Sequence, residues 1–400
     1  MKNSIPVLFL LLLISAHCVA EDWQTKTIKL LNGGSAVVQD QKGNHLFSYN
    51  ADKQMVPASI LKIATADTVL SLLGEDYRIN TEFYLTPDNY LGIKGFGDPG
   101  LVSESLLSIA KQLKNHLNNQ SGTTLKGFWL DTDFFKSDLK VHGQSSSNNP
   151  YDSSLGALVA NFNTVHIYKT KKGKVTSAEP QTPLTATAIQ LAKNLPPGKH
   201  RINIGKQKQL SLRYFSELLQ VFLKRQGITI PVKIINKKIP QDAAKLFTYK
   251  SQHIAEIIKK MLLFSNNFIA NQLLIILGGE QKGAPADLDK GKQVVSEFLI
   301  NTIGINTFTL EEGSGLSRKN QFSANQIMRV LIHFRPYQQL LRIDKNRFQA
   351  KTGTLQGIST YAGYMFLPSG ESYPFVIMLN KSRWGRDRNK IANIMYNGVK

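Results

Sequence analysis

Apolar residues recur along the chain with two periods, and the switches between them mark out the elements. Between 211 and 226, Leu212, Phe215, Leu218, Leu219, Phe222 and Leu223 fall at helical spacing, and over 251–263 Ile254, Ile257, Ile258, Met261 and Leu262 do the same. Helices are also expected over 103–115, 270–277, 286–301 and 323–334, the last with Ser323 as its N-cap. The segment after Pro57 reads as a helix with Leu, Ala and Val on one side, ended by Gly74. Alternation predicts strands at 27–39, with Asn32-Gly33-Gly34 as a turn or bulge, and at 45–49 as its hairpin partner. Further strands are expected at 78–85, 90–96, 128–132, 163–169 and 307–310. The end is β-rich: 348–351, 358–366 and 373–379 read as consecutive strands before a closing helix over 389–396. Residues 171–183 and Pro196-Pro197-Gly198 read as surface connections. First strands, last strands, the helix after Pro57 and the closing helix then make one sheet covered on both faces. The middle of the chain becomes an insertion.

Four hundred residues suffice for two domains or one large domain with an insertion, and the apolar fraction of 42% is ordinary. The formal net charge of +21 is not ordinary. No zinc-finger spacing, arginine-rich tail or basic region with heptads accompanies it, so no nucleic-acid partner is expected. The charge reads as a solvated basic surface, open to contact with a membrane surface or an anionic glycan. Residues 1–20 carry Lys2, an apolar run over 5–14 and small residues ending in Cys18-Val19-Ala20. That is the pattern of a secretory signal peptide cleaved after Ala20, which predicts an exported, periplasmic protein. Cleavage removes the one cysteine, leaving no disulfide or thiolate chemistry. The eight histidines show no metal spacing, His253 and His333 read as surface or boundary positions, and neither metal nor cofactor is expected.

Candidate chemistry sits in three short motifs. In Ser59-Ile60-Leu61-Lys62 the hydroxyl and the amine share a helix face at i and i+3. A serine hydroxyl needs an adjacent base to become a nucleophile, and a lysine is that base only when desolvation or a nearby cation lowers its pKa. Ser108/Lys111 and Ser137/Lys140 have the same spacing, so the motif alone does not choose. Ser265-x-Asn267, between two helices, offers a hydroxyl to relay a proton and an amide to hold a substrate carbonyl; a helix N-cap uses the same residue types. Lys351-Thr352-Gly353-Thr354 lies on an expected strand, where Gly353 lets a ligand backbone approach and Lys351 with the threonine hydroxyls can bind a terminal carboxylate. The N–H groups of Thr354 and Ser59 could form an oxyanion hole.

Ser-x-x-Lys, Ser-x-Asn and Lys-Thr-Gly in this order resemble penicillin-binding proteins and serine β-lactamases. The long interval from Ser59 to Ser265 resembles the penicillin-binding-protein-4-type D-alanyl-D-alanine carboxypeptidase/endopeptidases. So do Gly97-Asp98-Pro99, Asp131-Thr132-Asp133-Phe134-Phe135, Gly313-Ser314-Gly315-Leu316-Ser317-Arg318 and the run from Lys351 to Gly363. The resemblance implies an α+β fold: a β-lactamase/transpeptidase-like domain, an antiparallel sheet flanked by helices, over 21–84 and 246–400, with an α/β insertion over 85–245. It implies peptidoglycan stem peptides as substrates and β-lactams as acylating ligands. Ser59 would be the nucleophile, Lys62 the base, and Ser265 the proton relay to the leaving amine. Asn267, Lys351, Thr352, Gly353 and Thr354 would bind substrate, and Asp152 would match an inserted-domain aspartate that approaches the diaminopimelate ammonium. Three departures stand out: Glu312 replaces the usual aspartate, the segment before Lys351 is short, and the insertion after Asp152 is trimmed. They motivate an alternative, a peptidoglycan-binding or regulatory protein of weak turnover. A β-lactamase is a further reading, against which stands the lack of a Glu-x-x-Leu-Asn deacylation motif.

Overall fold

A computed structural model describes residues 22–400 apart from 119–123, 145–146, 150–151, 206, 345 and 382–385, so the expected signal peptide lies outside the described residues. The chain begins with α1 (Trp23–Leu31), β1 (Ser35–Gln39) and β2 (His45–Tyr49). After a 3₁₀ turn at Ala58–Leu61 come α2 (Lys62–Leu73), β3 (Asn80–Leu85), β4 (Tyr90–Gly95), α3 (Ser103–Asn118) and β5 (Gly127–Asp131). The middle continues with β6 (Thr164–Lys169), β7 (Val175–Ser177), α4 (Ala186–Ala192), β8 (Gly198–Asn203), α5 (Lys208–Arg225), β9 (Ile234–Asn236) and β10 (Ala244–Lys250). Next come α6 (Ile254–Phe264), α7 (Asn267–Lys282), α8 (Leu288–Asn301) and α9 (Ala324–Phe334). The chain ends with β11 (Arg342–Asp344), β12 (Phe348–Leu355), β13 (Ile358–Phe366), β14 (Ser372–Leu379) and α10 (Arg386–Val399).

The fold is α+β. First and last strands form the expected antiparallel sheet, ordered β11-β12-β13-β14-β1-β2, with Val37 opposite Val376 at the junction of the two chain ends. Alternation along these strands sorts the core. Val37, Ala362, Tyr364, Val376 and Met378 join the helices α2 and α6–α9 in one buried cluster. Ala36, Val38, Tyr361, Phe375 and Ile377 belong to the cluster that Ile391, Ala392 and Met395 of α10 complete, with α1 packed on α10. The middle of the chain builds a five-stranded mixed sheet, β10-β3-β4-β5-β9, and a three-stranded sheet, β7-β6-β8, around a third core. β3 and β10 pair with each other in this second sheet, Thr81 opposite Tyr249, so the expected boundaries at 84 and 246 fall within these strands. Phe134, Phe135, Leu155 and Ala157 carry the middle region into the helical core of the first sheet.

Three local expectations fail for physical reasons. Residues 23–31 are helical, not extended: the Asp22 carboxylate caps Thr25 N at 2.7 Å, and Asn32 and Gly33 end the helix in left-handed conformations. The β-branched Thr25, Thr27 and Ile28 suggest a strand, but packing on α10 overrides that propensity. Residues 307–310 make only an isolated bridge, Thr309 to Gln321. The expected surface connections hold β7 and the start of β8, which need β6 as a partner to exist. No described helix is long and apolar enough to cross a membrane.

Helix α2 is tied to α9 by one buried charge. Asp67 is fully buried and lies 2.9 Å from His333 Nδ1, so His333 is a boundary residue with a structural partner. His333→Ala should strand that carboxylate and cost about 2–3 kcal/mol, read as a fall in denaturant midpoint with unchanged slope.

Candidate active site

The turn that carries Ser59 is shaped by contacts from distant parts of the chain. Ala58 has φ +49, a left-handed conformation that a non-glycine residue adopts at a cost of about 1–2 kcal/mol, and it starts the 3₁₀ turn that presents Ser59. The turn is pinned from the sheet: Thr360 Oγ1 donates to Pro57 O at 2.8 Å, and Asn380 Oδ1 accepts from Val56 N at 2.8 Å. Gly315 and Gly353 close on it from two sides. A Cβ on Gly315 would collide with Ala58 O, and one on Gly353 with Thr360 Oγ1, while pressing on Ser59 N at 2.8 Å. Gly353 therefore makes room for the protein's own turn, where a ligand backbone was expected.

Lys62, the first residue of α2, is fully buried. Its Nζ lies 3.1 Å from Ser59 Oγ, 2.6 Å from Asn267 Oδ1 and 2.7 Å from Ser314 O. Burial, then the charge of Lys351, hold its pKa well below the ordinary lysine value, with Glu312 opposing. A neutral amine has two hydrogens and one lone pair. In that form, with Asn267 Oδ1 and Ser314 O accepting the hydrogens, the lone pair is free to face the Ser59 hydroxyl. The other two Ser-x-x-Lys matches have both residues exposed, so neither lysine is desolvated.

Asn267 opens α7, but the N-cap is Asn266, whose side chain accepts from Ile269 N, so neither the Ser265 nor the Asn267 side chain is the N-cap of that helix. Ser265 ends α6 in a left-handed conformation. No hydrogen bond joins its Oγ to Ser59 or Lys62 among the described residues, but it lines a cavity with Lys351 and Thr352. Lys351 is almost fully buried, donates to Thr352 O at 2.7 Å, and is lowered to about 8 by burial and by Arg388. Asp152 is buried. Its carboxylate accepts from Ser147 Oγ, and its carbonyl from Asn203 at the end of β8.

Two supports were not legible as functional in the sequence. Glu312, fully buried, accepts from Asn271 Nδ2 at 3.0 Å, Ser314 N at 2.8 Å, Ser317 N at 3.2 Å and Asn320 Nδ2 at 2.8 Å. It thereby folds the loop whose Ser314 carbonyl meets Lys62. Asn271 sits one helical turn after Asn267, so one face of α7 serves both the amine and the loop. Arg388 of α10 donates to Gly353 O at 2.6 Å and Thr354 Oγ1 at 2.8 Å, fixing the end of β12. Within a run of basic residues it reads as a solvated charge.

Comparison with known proteins gives a consistent picture. Residues 17–397 match the family described as the D-Ala-D-Ala carboxypeptidase 3 (S13) family. A D-alanyl-D-alanine carboxypeptidase of Actinomadura sp. (strain R39) is 26% identical over 416 residues, covering 84% of this chain and 76% of the relative. The crystal structure of penicillin binding protein 4 (dacB) from Haemophilus influenzae superposes with a TM-score of 0.76 at 19% identity, over 93% of this chain and 99% of that one. A penicillin G-acylated predatory endopeptidase from Bdellovibrio bacteriovorus, in complex with its immunity protein, gives 0.51 at 16% identity, over 91% and 90%.

Glu312→Gln would set an amide donor against backbone and asparagine donors. A loss of about 2–4 kcal/mol in stability is expected, measured by chemical denaturation.

Proposed function

The chain belongs to the D-Ala-D-Ala carboxypeptidase 3 (S13) family; we propose that it is a serine D-Ala-D-Ala carboxypeptidase/endopeptidase that penicillin acylates, with Ser59 as the nucleophile and Lys62 its base. Ser59 Oγ attacks the carbonyl between two D-alanines, or that of a D,D cross-link, while its proton passes to the Lys62 amine. The N–H groups of Ser59 and Thr354 receive the oxyanion. The C–N bond then breaks, Ser265 conveys a proton to the leaving nitrogen, and water hydrolyses the acyl-enzyme to restore Ser59. Asn267 keeps Lys62 through its Oδ1 and offers Nδ2 to the substrate carbonyl. Lys351, Thr352 and Thr354 hold the terminal carboxylate, with Gly353 as the close-packed hinge between them. Asp152 is the proposed partner of the stem-peptide ammonium, and export to the periplasm is the proposed setting.

The observation that carries this reading is the buried Lys62 with two acceptors and one hydroxyl around its nitrogen. Purified protein incubated with a fluorescent penicillin should gain one adduct by intact mass, absent in Ser59→Ala, and should release D-alanine from a stem pentapeptide. No adduct on the wild type would replace this reading with that of a binding protein of weak turnover.

The pH dependence has a stated sign. Acylation needs Lys62 neutral, so the rate rises with pH on the acid side, and Lys62→Arg, which cannot deprotonate, abolishes it. Lys351 binds carboxylate only when charged, so the rate falls as pH rises through about 8. Arg388→Met removes a cation that disfavours charged Lys351, so the alkaline limb should move to higher pH, measured from acylation rates across pH 5–10.

A further inference from the structure

Lys351 lines a cavity of about 210 Å³ with Leu263, Phe264, Ser265, Arg342, Asp344 and Thr352. One wall is the end of α6. There Phe264 is 73% exposed and Leu263 43% exposed, an aromatic and an aliphatic side chain left in water next to the site. The left-handed turn at Ser265 lets that helix end beside the cleft. The other wall is β11, the edge strand of the catalytic sheet, paired with β12 through Arg342 opposite Ala350. Alternation puts Arg342 and Asp344 on one face of that strand, and both line the cavity. Asp344 accepts from Tyr361 Oη at 3.4 Å, whereas Arg342 is exposed.

Chemistry gives this cavity a direction. The group that hands a proton to the leaving nitrogen marks the side on which that nitrogen departs. Ser265, the proposed relay, lines the cavity together with Lys351 and Thr352. Whatever is attached to the leaving nitrogen must therefore enter here. From a single stem the departing group is alanine, a methyl and a carboxylate. From a D,D cross-link it is the side-chain amine of a diamino acid in a second stem. That group brings a nearby carboxylate, then methylenes, then amides and further carboxylates. The walls supply matching partners: Lys351 and Thr352 first, Leu263 and Phe264 for methylenes, then Arg342 and Asp344 for the polar chain.

We infer that this groove receives the second stem peptide of a cross-linked substrate, and that Phe264 and Arg342 set the preference for cross-linked over single-stem peptides. The inference rests on the roles of Ser59 and Ser265 given above. In the acylation step it concerns, the bond from the donor carbonyl to the second stem's amine breaks. The carbonyl passes to Ser59 Oγ, and the protonated amine leaves through the groove.

The test compares wild type, Phe264→Ser, Arg342→Ala and Arg342→Lys on two substrates, a stem pentapeptide and a purified D,D-cross-linked dimer, with penicillin acylation measured alongside. Cleavage of the dimer should fall about tenfold or more in kcat/KM for Phe264→Ser and Arg342→Ala, with partial recovery in Arg342→Lys. Release of D-alanine and acylation should stay within about twofold. Parallel loss on both substrates, no loss on either, or a wild type that leaves the dimer intact would each overturn the inference. A wild type that penicillin does not acylate would instead overturn the reading of Ser59, and the groove assignment with it.

Discussion

A lysine amine out of reach of water is the constraint on which the rest depends. Burial disfavours the charged form, and a second buried lysine nearby adds to that pressure, so Lys62 is held ready to take a proton. Burial also creates a debt of hydrogen bonds, because polar N–H groups inside a protein need acceptors. The two acceptors come from 205 and 252 residues away along the chain, on α7 and on the loop after Glu312. Holding those acceptors still requires its own scaffolding, and Asn271 with Glu312 supplies it. A chemical need at one nitrogen thus extends through three elements of the fold.

Close packing supplies the second half of the arrangement. The strained Ala58 conformation survives because its surroundings over-determine it: two glycines abut the turn, and Thr360 and Asn380 hydrogen-bond its approach. Arg388 performs two tasks with one guanidinium. It anchors the strand that carries Thr352 and Thr354, and it adds to the burial that lowers the pKa of Lys351 to about 8. Preorganisation of this kind lets a site act without rearranging as charge develops.

Much of this was legible in the amino-acid sequence, because the motifs and the long helical periods carry their own physics. Ser59 and Lys62 meet as their spacing suggests, and Ser323 caps α9 with a full capping box. What stayed hidden depends on tertiary neighbours. Three Ser-x-x-Lys matches are equal on paper, and only desolvation separates them. The helix at Trp23–Leu31 carries strand-favouring residues, and its cap at Asp22 is the signal that resolves it. The short strands β7, β9 and β11 have too few residues to show a period. Asp67 and His333 look unrelated until α2 packs on α9.

The pairing of β1 with β14 in the six-stranded sheet joins Ser35 to Met378, so the loop it closes contains most of the chain. Such a pairing has high contact order and carries the loop-closure entropy of that span. Asn380, just beyond β14, holds the backbone at Val56 three residues before Ser59. The turn that presents Ser59 thus takes its footing from a residue 324 positions away along the chain, so a cut anywhere between them would cost the turn that hold unless the two pieces stayed associated.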